Sequence, residues 1–184
     1  MDAADEMGKN NTEKALALNN QAIAKFRETL KIDSNHHGAR SALAHSLYID
    51  KKFAEAIDWF KQANTKDGIM AVNLRESGLC NINLGQLKIG RSEIEDAFKR
   101  DTSKEMRSIT VDDLFDIGNL AFNYGRTYTK EGDNQKGLDY QHFAVAVLEM
   151  AFDFDNTRKD ITKTIVDYAD ELKDKLLADK YRNR

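Results

Sequence analysis

Asp33, Asp67 and Asp101 recur at a fixed interval of 34 residues, and no other feature of the chain restricts its fold as tightly. Ala22, Ala56 and Gly90 precede them in register, followed by Phe26, Phe60 and Ile94. A small residue, an apolar residue four later and a break seven beyond that describe a helix that packs closely through its small position and ends at the aspartate. One such unit cannot bury its apolar face alone, so the repeat demands an array of stacked neighbours. An array of this kind offers an extended surface more readily than a catalytic pocket.

Composition agrees with helices. Among 184 residues there is no proline, 32% are charged and 9% are aromatic, which favours helices over a sandwich or barrel. The formal net charge of −3 is opposite to the basic stripe that usually binds nucleic acid, so no nucleic-acid partner is expected. No run approaches the ~18 consecutive apolar residues of a membrane span, so no membrane insertion is expected. The acidic start Met1-Asp2-Ala3-Ala4-Asp5-Glu6 lacks the apolar centre of a secretory signal. The compartment expected by default is the cytoplasm, or the periplasm or exterior if a leader has been removed. The single cysteine, Cys80, excludes an internal disulfide and reads as a buried, inert thiol in a helix.

Residues 1–11 read as a frayed terminus. From Thr12 onward, Ala15, Leu18, Ala22, Phe26 and Leu30 share one face and predict a long helix ending in the turn Asp33-Ser34-Asn35. Residues 37–70 predict a helical hairpin, with Leu43, Ala44 and Leu47 on its first helix and Phe53, Ala56, Phe60 and Ala63 on its second. Asp50-Lys51-Lys52 marks the turn between them. Residues 71–104 repeat the plan with Leu74 and Gly78, the turn Leu84-Gly85-Gln86, then Leu87, Gly90, Ile94, Ala97 and Phe98. Glycine here replaces the alanine of the earlier hairpin and allows closer helix approach.

A third hairpin is enlarged. Gly125-x2-Tyr128-x3-Gly132 matches the first half of the unit, and Ala144-x3-Leu148-x2-Ala151-x3-Asp155 matches the second. Asp155 lies 54 residues after Asp101, which is 34 plus a surplus of 20. We assign about thirteen of these before the hairpin and about seven within it, around residues 132–141, because seven residues are close to two helical turns. Thr110, followed by Val111-Asp112-Asp113, is the expected helix start. A last helix carrying Ile161, Ile165, Ala169, Leu172 and Leu176 is expected to close the array, with residues 179–184 frayed.

These residues resemble the tetratricopeptide repeat, a helix-turn-helix unit whose pattern runs W-x2-L-G-x2-Y-x3-G-x-Y-x2-A-x3-F-x2-A-x4-P. Leu43-Ala44, Gly78, Gly85, Phe53-x2-Ala56-x3-Phe60-x2-Ala63 and Leu87-x2-Gly90-x3-Ile94-x2-Ala97 fall on it, while Ser34, Gly68 and Thr102 stand where it has proline. The resemblance implies an all-α, right-handed superhelical array of hairpins forming a single domain over residues 1–184. Its parts are a leading helix at 12–36, repeats at 37–70 and 71–104, an insertion with an enlarged repeat at 105–158, and a capping helix at 159–182. In that family the first helix of each hairpin lines a concave face that receives an extended peptide or a partner helix. Matched positions assign the groove to Ser41, His45 and Tyr48, then Arg75, Leu79 and Asn83, then Phe122, Arg126 and Thr129. The cations Arg75 and Arg126 suit a partner segment with acidic character.

The chain carries no legible catalytic set. Gly78, Gly85 and Gly90 suit packing and a turn better than a phosphate loop. His36 and His37 are adjacent and point apart, whereas a helical two-histidine metal site wants i, i+4 spacing, so no metal and no cofactor are expected. His45 and His142 are isolated, Glu93, Glu95 and Asp96 read as a solvated face, and Tyr124, Tyr128 and Tyr140 read as core packing. The expected function is a non-enzymatic scaffold or adaptor binding protein through its concave groove. Alternatives are a small chaperone for exported or assembling subunits and a self-assembling module that forms homo-oligomers through its terminal helices. Reversing Arg75 and Arg126 to glutamate is expected to abolish partner binding with melting nearly unchanged, since neither is assigned to the core.

Overall fold

Among the described residues, four helices stop in the same way. The residue that ends each takes a left-handed φ: 58° at Lys51, 78° at Gly85, 94° at Gly132 and 59° at Lys173. Its N–H donates to the carbonyl three residues back, as Lys51 to Tyr48, Gly85 to Ile82, Gly132 to Thr129 and Lys173 to Asp170. The next N–H donates five back, as Lys52 to Leu47, Gln86 to Asn81, Asp133 to Tyr128 and Asp174 to Ala169. This Schellman arrangement satisfies the last carbonyls of the helix and turns the chain back on itself. Glycine adopts it freely, while each lysine holds it against a cost of about 1–2 kcal/mol.

The computed structural model describes residues 3–36, 38–182 and 184, the side chains of residues 3–10 excepted, and the described residues contain helices and no strand. The chain divides into two compact units, residues 1–100 and 101–184. The first holds α1 (Ala3–Ile32), α2 (Ala39–Ile49), α3 (Phe53–Lys66), α4 (Ala71–Asn83) and α5 (Leu87–Arg100). Each helix packs on the next, and α2 also reaches α4. Its core centres on Leu43, Ala44, Leu47, Ala56 and Phe60, all fully buried, with Ile23 of α1 against them. The second holds α6 (Lys104–Lys130), α7 (Asn134–Phe154), α8 (Lys159–Glu171) and α9 (Lys175–Arg182), again packed in chain order.

Small residues set the spacing within hairpins. Seven residues before the left-handed residue and five after it stand Ala44 and Ala56, Gly78 and Gly90, Gly125 and Gly137. A Cβ on Gly78 would lie 2.7 Å from the Gly90 carbonyl oxygen, and one on Gly90 2.5 Å from that of Gly78. Gly125 and Gly137 oppose one another similarly, at 2.6 and 2.9 Å. The enlarged hairpin adds a further rung, since a Cβ on Gly118 would meet the Leu148 side chain at 2.7 Å.

The surplus residues are therefore helix. α6 has 27 residues against 13 in α4, and α7 has 21 against 14 in α5. The turn at Glu131-Gly132-Asp133 is as short as the others, so the seven inserted residues lie inside α7 rather than in a widened loop. Thr110 does not start the helix. It is buried, with its hydroxyl donating to the Met106 carbonyl at 2.6 Å, and the cap is Ser103, whose Oγ accepts from Met106 N at 3.1 Å.

The aspartate column marks helix ends, as its spacing required. Asp33, Asp101 and Asp155 each accept the N–H two residues on, from Asn35, Ser103 and Thr157, at 2.9–3.0 Å. Asp67 is used differently. It forms a buried ion pair with Arg40 at 2.8 Å, and the same guanidinium donates to the Ser34 carbonyl, joining the α1–α2 connection to the end of α3.

Three expectations about the ends are corrected. α1 runs from Ala3 rather than Thr12, and residues 11–18, Ala15 and Leu18 among them, are exposed while Ile23 is buried. The expected closing helix is two helices, because the left-handed turn at Lys173 breaks it and leaves Leu176 86% exposed. The expected frayed tail is helical to Arg182. Tyr181, 2% exposed, meets Phe152 edge-on at 5.2 Å, and its hydroxyl pairs with Glu149 at 2.9 Å.

Gly90→Ala tests the spacing argument. Alanine normally favours a helix over glycine by about 0.5–1 kcal/mol, but the added methyl must part α4 from α5, and overpacking costs about 1–3 kcal/mol. The expected outcome is a net loss of about 1–2 kcal/mol in urea denaturation. A gain would mean that the helices separate freely.

Candidate functional site

The first helices of the hairpins carry the residues expected to line a groove, and each unit positions its own set. In the first unit α2 and α4 lie side by side and are bonded along their facing edges. Asn73, itself buried, donates from Nδ2 to Ser41 Oγ at 2.9 Å and to Asn64 Oδ1 at 3.2 Å. One turn further along, His45 Nδ1 lies 2.9 Å from both carboxylate oxygens of Glu76. The Glu76 side chain is 7% exposed and the imidazole 53%, so the pair bridges interior and surface.

That geometry explains the chemistry of His45. The hydrogen bond to Glu76 raises its pKa above the ordinary imidazole value; burial and the Arg75 charge oppose this, while the Glu76 charge adds to it. Arg75 is itself enclosed, with Nη1 4.0 Å from Glu76 Oε1 and a side chain 7% exposed. α4 is buried along nearly its whole length, including Leu79, which has no exposed surface. Asn83 is half-buried and bonds its own Leu79 carbonyl at 2.9 Å, and Tyr48 packs against the core beside Phe53. Cys80 in the same helix is buried, and burial pushes its thiol up to about 12, which leaves it protonated and inert.

In the second unit, α8 lies over the expected α6 residues. Phe122 is fully buried and stacks on Tyr168 with centroids 3.7 Å apart and planes 7° from parallel. Arg126 lies over both rings, 4.9 Å from the Phe122 centroid and 5.5 Å from that of Tyr168. Its guanidinium grips Glu171 in a fork, Nη2 to Oε2 at 2.6 Å and Nε to Oε1 at 3.0 Å. This bond raises Arg126 and lowers Glu171 from their ordinary values. Thr129 is exposed and bonds the Gly125 carbonyl at 3.0 Å.

The list drawn from matched positions is thus corrected in part. Arg75, Leu79 and Phe122 are interior, His45, Arg126 and Thr129 reach the surface, and Ser41, Tyr48 and Asn83 are half-buried. Reversing Arg75 and Arg126 cannot leave melting unchanged, because it sets new carboxylates against Glu76 and Glu171. The reasoning from sequence missed Glu76 and Glu171 as partners, for one sits beside its cation in the chain and the other 45 residues away. The tyrosine cluster is only partly core: Tyr128 and Tyr140 stack at 5.4 Å, whereas Tyr124 is 49% exposed. Of the histidine pair, His36 is exposed and His37 lies outside the described residues. Among the described residues no helix is long and apolar enough to cross a membrane.

No protein-family model matches this sequence, and no curated protein matches it.

The His45–Glu76 pair predicts a pH-dependent stability of known sign. A folded-state pKa raised above the unfolded value of about 6.5 means that the pair stabilises fully below that value and is lost as pH rises through the folded pKa. Thermal melts of wild type and His45→Gln should differ most below the reference value of about 6.5 and converge as pH rises through the raised folded-state pKa. A difference that grows with pH would remove Glu76 as the cause.

Proposed function

We propose that this chain is a non-enzymatic protein-binding scaffold of the tetratricopeptide kind, a right-handed superhelical array whose first helices line a concave face for an extended peptide or partner helix. The observation that supports this reading is the recurrence of one hairpin. A left-handed turn residue, small residues seven before and five after it, and an aspartate beyond the second helix recur in α2–α3, α4–α5 and α6–α7. A scaffold built by repetition offers surface rather than an enclosed site. Of the nine residues expected to line it, His45 and Thr129 are exposed.

The test is crosslinked recovery of partners from the native source with wild type and with Thr129→Arg, His45→Gln. Both positions are solvent-exposed, so folding should survive, which circular dichroism checks. Partners lost only from the variant support a groove on the first helices. Equal recovery overturns it.

A second reading, self-assembly, is favoured by one observation. Leu16 and Leu18 on α1 are 43% and 55% exposed, on a stretch where every residue from Asn11 to Leu18 faces solvent. Light scattering across a concentration series decides it: a mass that rises with concentration in wild type and stays monomeric in Leu16→Glu, Leu18→Glu supports assembly through α1. A strict monomer at every concentration rejects it.

A further inference from the structure

The α8–α9 turn is built like those of the three hairpins, with Lys173 left-handed and Ala178, fully buried, five residues after it. Seven residues before it, where the others have alanine or glycine, stands Val166. Val166 lines a cleft of about 270 Å³ between the two helices, with Lys159, Thr162 and Lys163 on the α8 side and Tyr181, Arg182 and Arg184 on the other. Every charged residue of this cleft is a cation, in a chain whose net charge is −3.

Several cations of the second unit are already satisfied. Arg126 is held by Glu171, Arg158 by Asp112 and Asp160, Lys180 by Glu149, and within the cleft Arg182 by Asp170 and Asp179. Lys159, Lys163 and Arg184 differ. Among the described residues none of them has an aspartate or glutamate carboxylate within ion-pair distance. Lys159 Nζ donates to the Arg184 carbonyl at 2.8 Å, and the Arg184 guanidinium lies 5.7 Å from the Tyr181 ring centroid. Beneath these charges Val166 and the Tyr181 ring supply an apolar floor.

We propose that the α8–α9 cleft binds an acidic, extended protein segment in which carboxylates alternate with an aliphatic residue. The cations are spread along the cleft rather than converging. Lys159 and Lys163 are one helical turn apart, about 5–6 Å, a spacing that meets successive carboxylates of a peptide better than one compact anion. Of the two guanidinium groups in the cleft, Arg182 is already engaged by two aspartates, and Arg184 lies over the Tyr181 ring rather than beside the two lysines. The net negative charge of the chain opposes a long polyanion, which leaves a short acidic segment with an apolar anchor as the fitting occupant. This rests on the reading of the chain as protein-binding but not on the concave face, and the two sites fail separately.

The experiment uses the full chain and a fluorescein-labelled peptide of about ten residues alternating glutamate with leucine, followed by anisotropy at low and moderate salt. Lys159→Gln, Lys163→Gln is compared with Lys61→Gln, Lys88→Gln, which removes the same charge from exposed positions of the first unit. The expected result is binding weakened about tenfold by the cleft pair and less than about twofold by the control pair, with both variants melting like wild type. A glutamine copy of the peptide should not bind. The proposal is overturned if the acidic peptide does not bind, if both lysine pairs act equally, if the glutamine copy binds as well, or if single-stranded RNA binds the cleft more tightly than the peptide. Loss of peptide binding here, with native partners still lost from the Thr129→Arg, His45→Gln variant, removes the cleft and leaves the concave-face reading standing.

Discussion

The interaction on which the rest of this structure depends is the approach of two helix backbones at a point where neither carries a side chain. Between Gly78 and Gly90 there is no room for a methyl group, and the same holds between Gly125 and Gly137. Helices brought this close must be joined by a very short turn. Such a turn is available only if one residue accepts a left-handed φ and the last carbonyls find donors. The glycine pairs and the Schellman turns are therefore parts of one device. The enlarged hairpin shows its tolerance: Gly118, Gly125 and Gly137 keep α6 and α7 in register although together they are longer by several turns than α4 and α5.

What could be read from the sequence follows from this device. Columns of small residues and aspartates repeat because each has a geometric duty, so the hairpins at 37–70 and 71–104 and the helix ends at Asp67, Asp101 and Asp155 were legible. Lysine at a left-handed position is not a turn signal. Nothing at Lys173 announced that the last helix breaks there, so α9 and the burial of Tyr181 went unseen. Ala144, not Gly137, keeps the interval back from Asp155 that Ala56 keeps from Asp67, whereas Gly137 keeps the interval forward from the turn. The two lie seven residues apart on one face of α7, and periodicity alone cannot tell which of them opposes Gly125.

The candidate site was less legible, for a different physical reason. A cation in a sequence is a charge without a partner until the fold supplies one. Arg75 and Arg126 looked alike as groove cations, yet Arg75 is enclosed beside Glu76 and Arg126 is forked by Glu171 across the α6–α8 contact. Glu76 could be found on α4 but not its bond to His45, which depends on α2 and α4 lying edge to edge. Tertiary pairing of this kind has no local signature, whereas packing columns do.

The distinction between satisfied and unsatisfied charge also separates structural surface from binding surface. An arginine already held in a fork by a carboxylate must give up those bonds before it can hold a ligand, and the exchange returns little. A lysine with only water around it loses less and gains the whole interaction. Applied to the second unit, this places Arg126 and Arg158 among the groups that hold α8 on α6, since each bonds a carboxylate or ring of the other helix. It places Lys163, and Lys159 beyond its one bond to the Arg184 main-chain oxygen, among the groups able to meet something else. The hairpin position that elsewhere closes two helices through alanine or glycine holds Val166 here, and the space beside it opens under those two lysines. The same repeated device thus produces a core where its small residues are kept and a cleft where one is replaced.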